Sequence, residues 1–259
     1  MYEFEYHKAT SVDDAVAAQK KGDDARFLAG GHTLLPTMKQ RLASPSDLVD
    51  ISGISGLGGI TVSGDTVTIG ATTTHGEVAD SADVKKAIPA LAAMAGGIGD
   101  PQVRSCGTIG GSLANNDPAA DYPAAVLALG ATIVTNEREI AGDDFFVGLF
   151  ETALNDGELI TAVKFPVPAK AGYSKFPNPA SRYAVVGVMY AETSGGIRVG
   201  VTGAGPCAFR ASDIEAALSS GGDIPASSAA NLNSDIHASA DYRAHLIGVM
   251  TKRAVEAAG

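Results

Sequence analysis

The sequence predicts an α+β protein in two parts, an N-terminal α+β region and a smaller C-terminal unit of antiparallel sheet and helix. Three observations predict it. Helical and strand-like patterns interleave over the first 170 residues or so. Two stretches, "GGITVSGDTVTIGA" and "RYAVVGVMYAETSGGIRVGVTGAG", alternate in strand fashion around tight-turn residues and read as hairpins. "PVPAKAGYSKFPNP" carries four prolines in 14 residues and reads as a boundary, giving units 1–169 and 170–259.

The elements follow in order. "SVDDAVAAQKKG" reads as a helix, with Ser11 as N-cap, Asp14 three residues on and Gly22 as the stop. "ARFLAGG" reads as a short buried strand entering a glycine turn, and "LLPTMKQRLA" as a helix with Pro36 in its first turn. "DLVDIS" is a further strand, and Gly64-Asp65 turns the first hairpin. "SADVKKAIPALAAMAGG" reads as one helix capped by Ser81 and closed by Gly96-Gly97. Asp117-Pro118 reads as an N-cap and first helical residue opening "PAADYPAAVLALG". "ATIVT" and "ELITAVKFPVP" are strands. "SSGGDIPASSAANLNS" is a loop. "DYRAHLIGVMTKRAVEAA" is an amphipathic helix with Leu246, Val249, Met250 and Val255 on one side.

Composition narrows the function. The chain has 259 residues, enough to bury a real core. Glycine contributes 31 of them, against a usual share of about 7%, which points to tight turns and close backbone approaches. The net charge is −10. Residues 42–170 carry six basic and sixteen acidic groups, while the flanking segments balance. The absence of a basic footprint argues against nucleic-acid binding. No stretch has the ~20 apolar residues of a membrane span, and the N-terminus lacks a signal-peptide layout. A cytoplasmic protein is therefore expected. Two cysteines, Cys106 and Cys207, cannot by themselves hold an iron–sulfur cluster.

Two glycine segments carry the chemistry. "LAGGHTLLP" spans Leu28 to Pro36, and "TIGGS" spans Thr108 to Ser112. Consecutive backbone N–H groups in such turns can face one concavity and bind an anion. Glycine lets the backbone reach the ligand. Neither segment holds Lys or Arg, so amide dipoles and helix N-termini must meet a phosphate's charge, at roughly 1.5–3 kcal/mol per hydrogen bond to a charged group. Read from the residues alone, both segments are equally well explained as tight turns.

The resemblance then becomes specific. "FLAGGHTLLPTMKQRLASPSDLVDIS", "IGATTTHGEVADS", "GDPQVRSCGTIGGSLANNDPAADYPAAVLALGA" and "SDIHASADYRAHLIGVMTKRA" resemble the FAD-binding medium subunit of molybdenum hydroxylases, the xanthine dehydrogenase and carbon monoxide dehydrogenase family. The similarity runs over essentially the whole chain. It implies a two-lobed FAD-binding domain of the vanillyl-alcohol-oxidase (PCMH) type, with lobes of about 1–55 and 56–169, followed by the family's small C-terminal domain. It implies that Leu28, Ala29, Gly30, Gly31, His32, Thr33, Leu34 and Leu35, with Thr108, Ile109, Gly110, Gly111 and Ser112, cradle the FAD diphosphate. Asp121 matches a nucleotide contact, Ile98 an apolar position near the flavin, and Leu159 and Lys175 further contact positions. Tyr183 is a candidate for packing near the isoalloxazine.

Without the resemblance these last residues keep other readings. Asp121 is also a first-turn helix acid, Ile98 and Leu159 also core residues, Lys175 also a surface lysine, and Tyr183 also a strand-packing aromatic. His32 is expected to act through its backbone, and no second histidine stands at metal-ligand spacing from it. "GAGPCA" (Gly203 to Ala208) fits a dinucleotide fingerprint but is rejected, because the strand before it reads as half of a hairpin and Pro206 lacks an N–H. The resemblance implies partners: a molybdopterin-binding large subunit and a [2Fe–2S] small subunit, in a dimer of heterotrimers. FAD in this chain would pass electrons from the clusters to an external acceptor. A stand-alone flavin-dependent oxidoreductase on the same scaffold is the alternative.

Overall fold

A computed structural model describes residues 1–259. The first lobe alternates strand and helix: β1 (Glu5–Lys8), α1 (Val12–Gln19), β2 (Ala25–Leu28), α2 (Leu34–Lys39) and β3 (Asp47–Asp50). Its strands are parallel in the order β1-β3-β2, since each helix supplies the crossover that parallel pairing needs. The Ser11 hydroxyl caps α1 by accepting from the Asp14 N–H. No capping box closes there, because the Asp14 carboxylate accepts from the Thr10 N–H instead.

The second lobe begins with the expected hairpin, β4 (Ile60–Ser63) and β5 (Thr66–Gly70), turned at Gly64 with φ +56°. Helix α3 (His75–Asp80) follows. Thr74 and Glu77 form a complete capping box at its start, a T-x-x-E signal in the sequence. The single helix expected after Ser81 is two, α4 (Ala82–Ala87) and α5 (Pro89–Gly96). Pro89 lacks an N–H and pushes Ile88 to φ −140°, ψ 74°. The chain continues through α6 (Pro101–Arg104), α7 (Ile109–Asn115) and α8 (Tyr122–Leu129). Asp117 does not cap α8 as expected. Its carboxylate accepts from the Ala119 N–H in an Asx turn, and the helix starts at Tyr122 with Pro123 in its first turn.

Strands β6 (Thr132–Thr135) and β7 (Glu139–Ala141), the short α9 (Gly142–Phe145), the ribbon β8 (Phe146–Gly148) and β9 (Glu151–Thr152), and β10 (Ile160–Pro166) complete the lobe. The antiparallel sheet runs β4-β5-β10-β6-β7. Helices α5, α7 and α8 cover it with Leu91, Met94, Ile109, Leu113 and the wholly buried Tyr122, and this is the largest core.

The proline-rich stretch carries regular structure. Most of it forms β11 (Lys170–Pro177), paired along its length with β12 (Ala184–Thr193). Its outer prolines bracket the strand, where a missing N–H is tolerated. β13 (Gly196–Thr202) completes the expected second hairpin, and β14 (Phe209–Arg210) ends the sheet. Strand β12 is buried on both faces. Val186, Val188 and Tyr190 point to a C-terminal core with α10 (Ser212–Ser219) and α11 (Ala240–Ala258), while Met189 and Ala191 point into the second lobe's core. The "GAGPCA" segment is a corner after an antiparallel strand, with α10 starting only at Ser212. No helix is long and apolar enough to cross a membrane.

Candidate functional site

A cleft of about 900 Å³ lies where the first lobe meets the second. The first glycine segment enters from the end of β2, and Leu28 through Leu34 line the cleft. Thr108, Gly110, Gly111 and Ser112 form the facing wall. The turn before β12 contributes Ser181, Arg182 and Tyr183. A parallel sheet edge thus delivers one glycine turn and the covered antiparallel sheet delivers the other.

The two segments differ in what they offer. In the first, the N–H groups of Gly30, Gly31, His32, Thr33 and Leu34 donate to no group within the protein. Gly31 has φ +68°, the left-handed conformation that turns this run of amides, and its carbonyl accepts from Leu35 as α2 begins. The second segment is not an amide cup. It is the first turn of α7: Ile109 donates to Thr73 O, Gly110 to Ala71 O, Gly111 to the Thr108 hydroxyl and Ser112 to Thr108 O. Its amides are engaged by the β5–α3 loop and by its own cap. It offers the cleft the Thr108 N–H, the Ser112 hydroxyl and a bare glycine surface.

The glycines are explained by the approach of backbone to backbone. A Cβ on Gly30 would stand 1.9 Å from the Cys106 carbonyl oxygen, so the first segment touches the turn that leads into the second. One on Gly110 would stand 2.7 Å from Ala71. One on Gly111 meets only the Thr108 hydroxyl, at 2.9 Å. His32 turns its Nδ1 to the Gly30 carbonyl, 2.9 Å away, so its ring braces the segment it belongs to.

The remaining expected residues divide. Ile98, Asp121, Leu159 and Tyr183 line the cleft. Leu35, Ile109 and Lys175 do not. Leu35 packs beneath Gly31, and Ile109 is wholly buried, as helical periodicity turns it to the core. Lys175 lies behind the wall: its ammonium is 3.0 Å from both the Asp121 carboxylate and the Gly97 carbonyl oxygen. Tyr173 donates its hydroxyl to the same carboxylate. Lys175 therefore ties β11 to the cleft through Asp121. Burial pushes the Asp121 carboxyl up, against the opposing pull of Lys175 and Tyr173. Tyr183 is part-exposed at the cleft rim, and burial with Asp117 and Asp121 nearby raises its phenol.

Several lining residues escaped the sequence reading. Arg26, Arg41 and Arg182 bring cations to a cleft whose glycine segments have none. Arg26 pairs with Asp24 at 2.8 Å, Arg41 lies over the Tyr2 ring, and Arg182 donates to the Gly99 carbonyl at 2.9 Å. No motif marks them, since they come from three separate elements. Glu158 also lines the cleft. Burial pushes its carboxyl up, but Arg138, the Asn155 N–H and Thr135 outweigh that and hold it at about 2. It is an anchored carboxylate, not a proton carrier.

Fold and cleft together present a run of free backbone amides to an open cleft between two lobes. The comparisons name the ligand class. Residues 2–168 match the family described as the FAD binding domain in molybdopterin dehydrogenase. The chain is 37% identical to the carbon monoxide dehydrogenase medium chain of Afipia carboxidovorans, over 98% of this chain and 96% of that one. It is 34% identical to the nicotine 6-hydroxylase medium subunit of Paenarthrobacter nicotinovorans, with the same coverage. Reconstituted CO dehydrogenase from Oligotropha carboxidovorans superposes with a TM-score of 0.91, covering 99% of this chain and 98% of that chain at 36% identity. The chain belongs to the FAD-binding medium subunits of the molybdenum hydroxylases, and is an FAD-containing oxidoreductase subunit.

Proposed function

We propose that this chain is the electron-transfer subunit of a molybdenum hydroxylase, taking electrons from [2Fe–2S] clusters of a partner and passing them to an external acceptor. The observation that carries the reading is the run of five unpartnered amides, Gly30 to Leu34, facing a bare helical turn across a cleft of about 900 Å³. That surface suits a diphosphate, with Arg41 and Arg182 as the wall cations not already paired to a carboxylate. FAD, when bound, supplies the ability to accept electrons singly and release them in pairs. The chain's residues bind and orient it. Ile98 and Leu159 offer apolar surface to its rings, Asp121 a hydrogen-bond acceptor held by Lys175 and Tyr173, and Tyr183 an aromatic at the rim.

Residues 1–169 are proposed as the cofactor-bearing unit and 170–259 as a buttress, through β12 and Lys175. The partners are a molybdopterin-binding large subunit and a [2Fe–2S] small subunit, in a dimer of heterotrimers in the cytoplasm. The test is purification of the native complex. Expected are stoichiometric FAD with bands near about 450 nm, molybdenum, iron, and bleaching of those bands when the clusters are reduced. A flavoprotein that purifies alone and turns over a substrate of its own would overturn the electron-transfer role.

A further inference from the structure

His75 is the first residue of α3 and touches Gly107, the residue that leads into the second glycine segment, twice. Its N–H donates to the Gly107 carbonyl at 2.9 Å. Its imidazole lies so close to Gly107 that a Cβ there would stand 2.7 Å from Nε2. Gly107 in turn lies against the first segment, where a Cβ on Gly30 would stand 3.0 Å from the Gly107 Cα. The Tyr122 ring backs the imidazole, with centroids 5.4 Å apart. A stack thus runs Tyr122, His75, Gly107, Gly30, from the core to the free amides.

The residue type is informative. His75 Nδ1 and the Tyr122 hydroxyl are both buried without a protein partner. An unpaired buried polar group costs about 1–3 kcal/mol, so packing alone would favour an apolar residue here. Burial, with His32 and Arg104 nearby, lowers the imidazole to about 4, so it is neutral at pH 7 and contributes shape rather than charge.

We propose that His75 is a positioning residue of the cofactor cleft: its imidazole is the spacer on which Gly107 seats, and through Gly107 it fixes the distance between the two glycine segments. The inference rests on the FAD reading of the cleft. A shorter side chain lets Gly107 sink, and the Gly30–Leu34 amides then leave the positions a diphosphate requires. Conversely, a methyl group on Gly107 takes the imidazole's space and drives the segments apart, unless the imidazole is gone.

The experiment uses the full chain, stripped of flavin and titrated with FAD and with riboflavin, which has no diphosphate. The variants are His75→Ala, Gly107→Ala and the double variant. Each single variant is expected to weaken FAD at least tenfold and riboflavin less than threefold. The double variant, in which the methyl group fills the space left by the imidazole, is expected to bind FAD within threefold of wild type. The proposal is overturned by a His75→Ala chain that binds FAD within threefold of wild type. It is equally overturned by parallel loss of FAD and riboflavin, or by a double variant no better than the weaker single. Should His75→Ala not fold, Gly107→Ala and the double variant decide the matter. A wild-type chain that takes up no FAD overturns the cofactor reading and this inference with it, whereas wild-type uptake with an unaffected His75→Ala overturns this inference alone.

Discussion

Replacing Gly30 with alanine puts a methyl group where the two glycine segments meet. The new Cβ would stand 1.9 Å from the Cys106 carbonyl oxygen and 2.6 Å from its carbon, and real Cβ contacts essentially never fall below 3.0 Å. Both obstacles are backbone, so no rotamer change relieves them, and the segments must part by about 1 Å. Overpacking of this kind costs about 1–3 kcal/mol, and a misplacement of about 1 Å at a binding constellation costs up to about 100-fold. The FAD dissociation constant is therefore expected to rise about 10–100-fold, or about 1.4–2.7 kcal/mol. The assay is fluorescence titration of the flavin-free chain, with its melting curve recorded alongside. Gly248→Ala is the control. It lies in α11 with no atom within 4 Å of the added Cβ, and is expected to be neutral or stabilising by up to about 1 kcal/mol. A Gly30→Ala chain that folds and binds FAD as tightly as wild type would refute the claim that contact between the segments shapes the cleft.

Other outcomes follow from the same contacts. Gly111→Val presses on the Thr108 hydroxyl that caps α7 and fills the bare turn, so FAD retention should be lost, with about 1 kcal/mol of stability from the disturbed cap; stoichiometric flavin in the folded variant contradicts this. Lys175→Met leaves the Asp121 carboxylate, 5% exposed, without its cation, and should destabilise the chain by about 3 kcal/mol at neutral pH. The deficit should shrink at lower pH, where Asp121 takes a proton, and Asp121→Asn in the same chain should recover most of it in chemical denaturation. The folded His75 imidazole takes its proton only near about 4, whereas an unfolded one does so near about 6.5. Its contribution is thus fully present above about pH 6.5 and falls by about 3 kcal/mol as pH drops towards 4. Denaturant midpoints of His75→Gln against wild type across that window should show the difference, and parallel curves would remove His75 from the pH dependence.

What was legible in the sequence was whatever depends on neighbours along the chain. Strands β2, β3, β6 and β10, both hairpins and the Ser11 and Ser81 caps follow from alternation, turn residues and capping hydroxyls, and they stand where expected. The misses depend on something else. The strand β11 within the proline-rich boundary stretch shows only once β12 pairs with it. Pro118 resembles a helix start, but the Asx turn at Asp117 takes the local hydrogen bond first. "TIGGS" looks like a second copy of the first loop. Only tertiary pairing with Ala71 and Thr73 reveals that its amides are engaged. Arg26, Arg41 and Arg182 come from elements that sequence spacing cannot bring together.

The asymmetry between the glycine segments changes what holding the cofactor requires. Two equal amide cups would each grip one phosphate of the diphosphate. Here one segment supplies the free donors and the other supplies a close-fitting wall, so the site exists only while the lobes stay in contact. That contact runs from Gly30 to Cys106 and Gly107, and through His75 to the core helix α8. Lys175 reaches the same wall from β11, through Asp121 and the Gly97 carbonyl. On the proposed reading, cofactor retention is therefore a property of how the lobes and the C-terminal sheet are seated. Changes at Lys175, behind the wall, and at His75, which lines the cleft beside Gly107, should lower FAD affinity by unseating the wall.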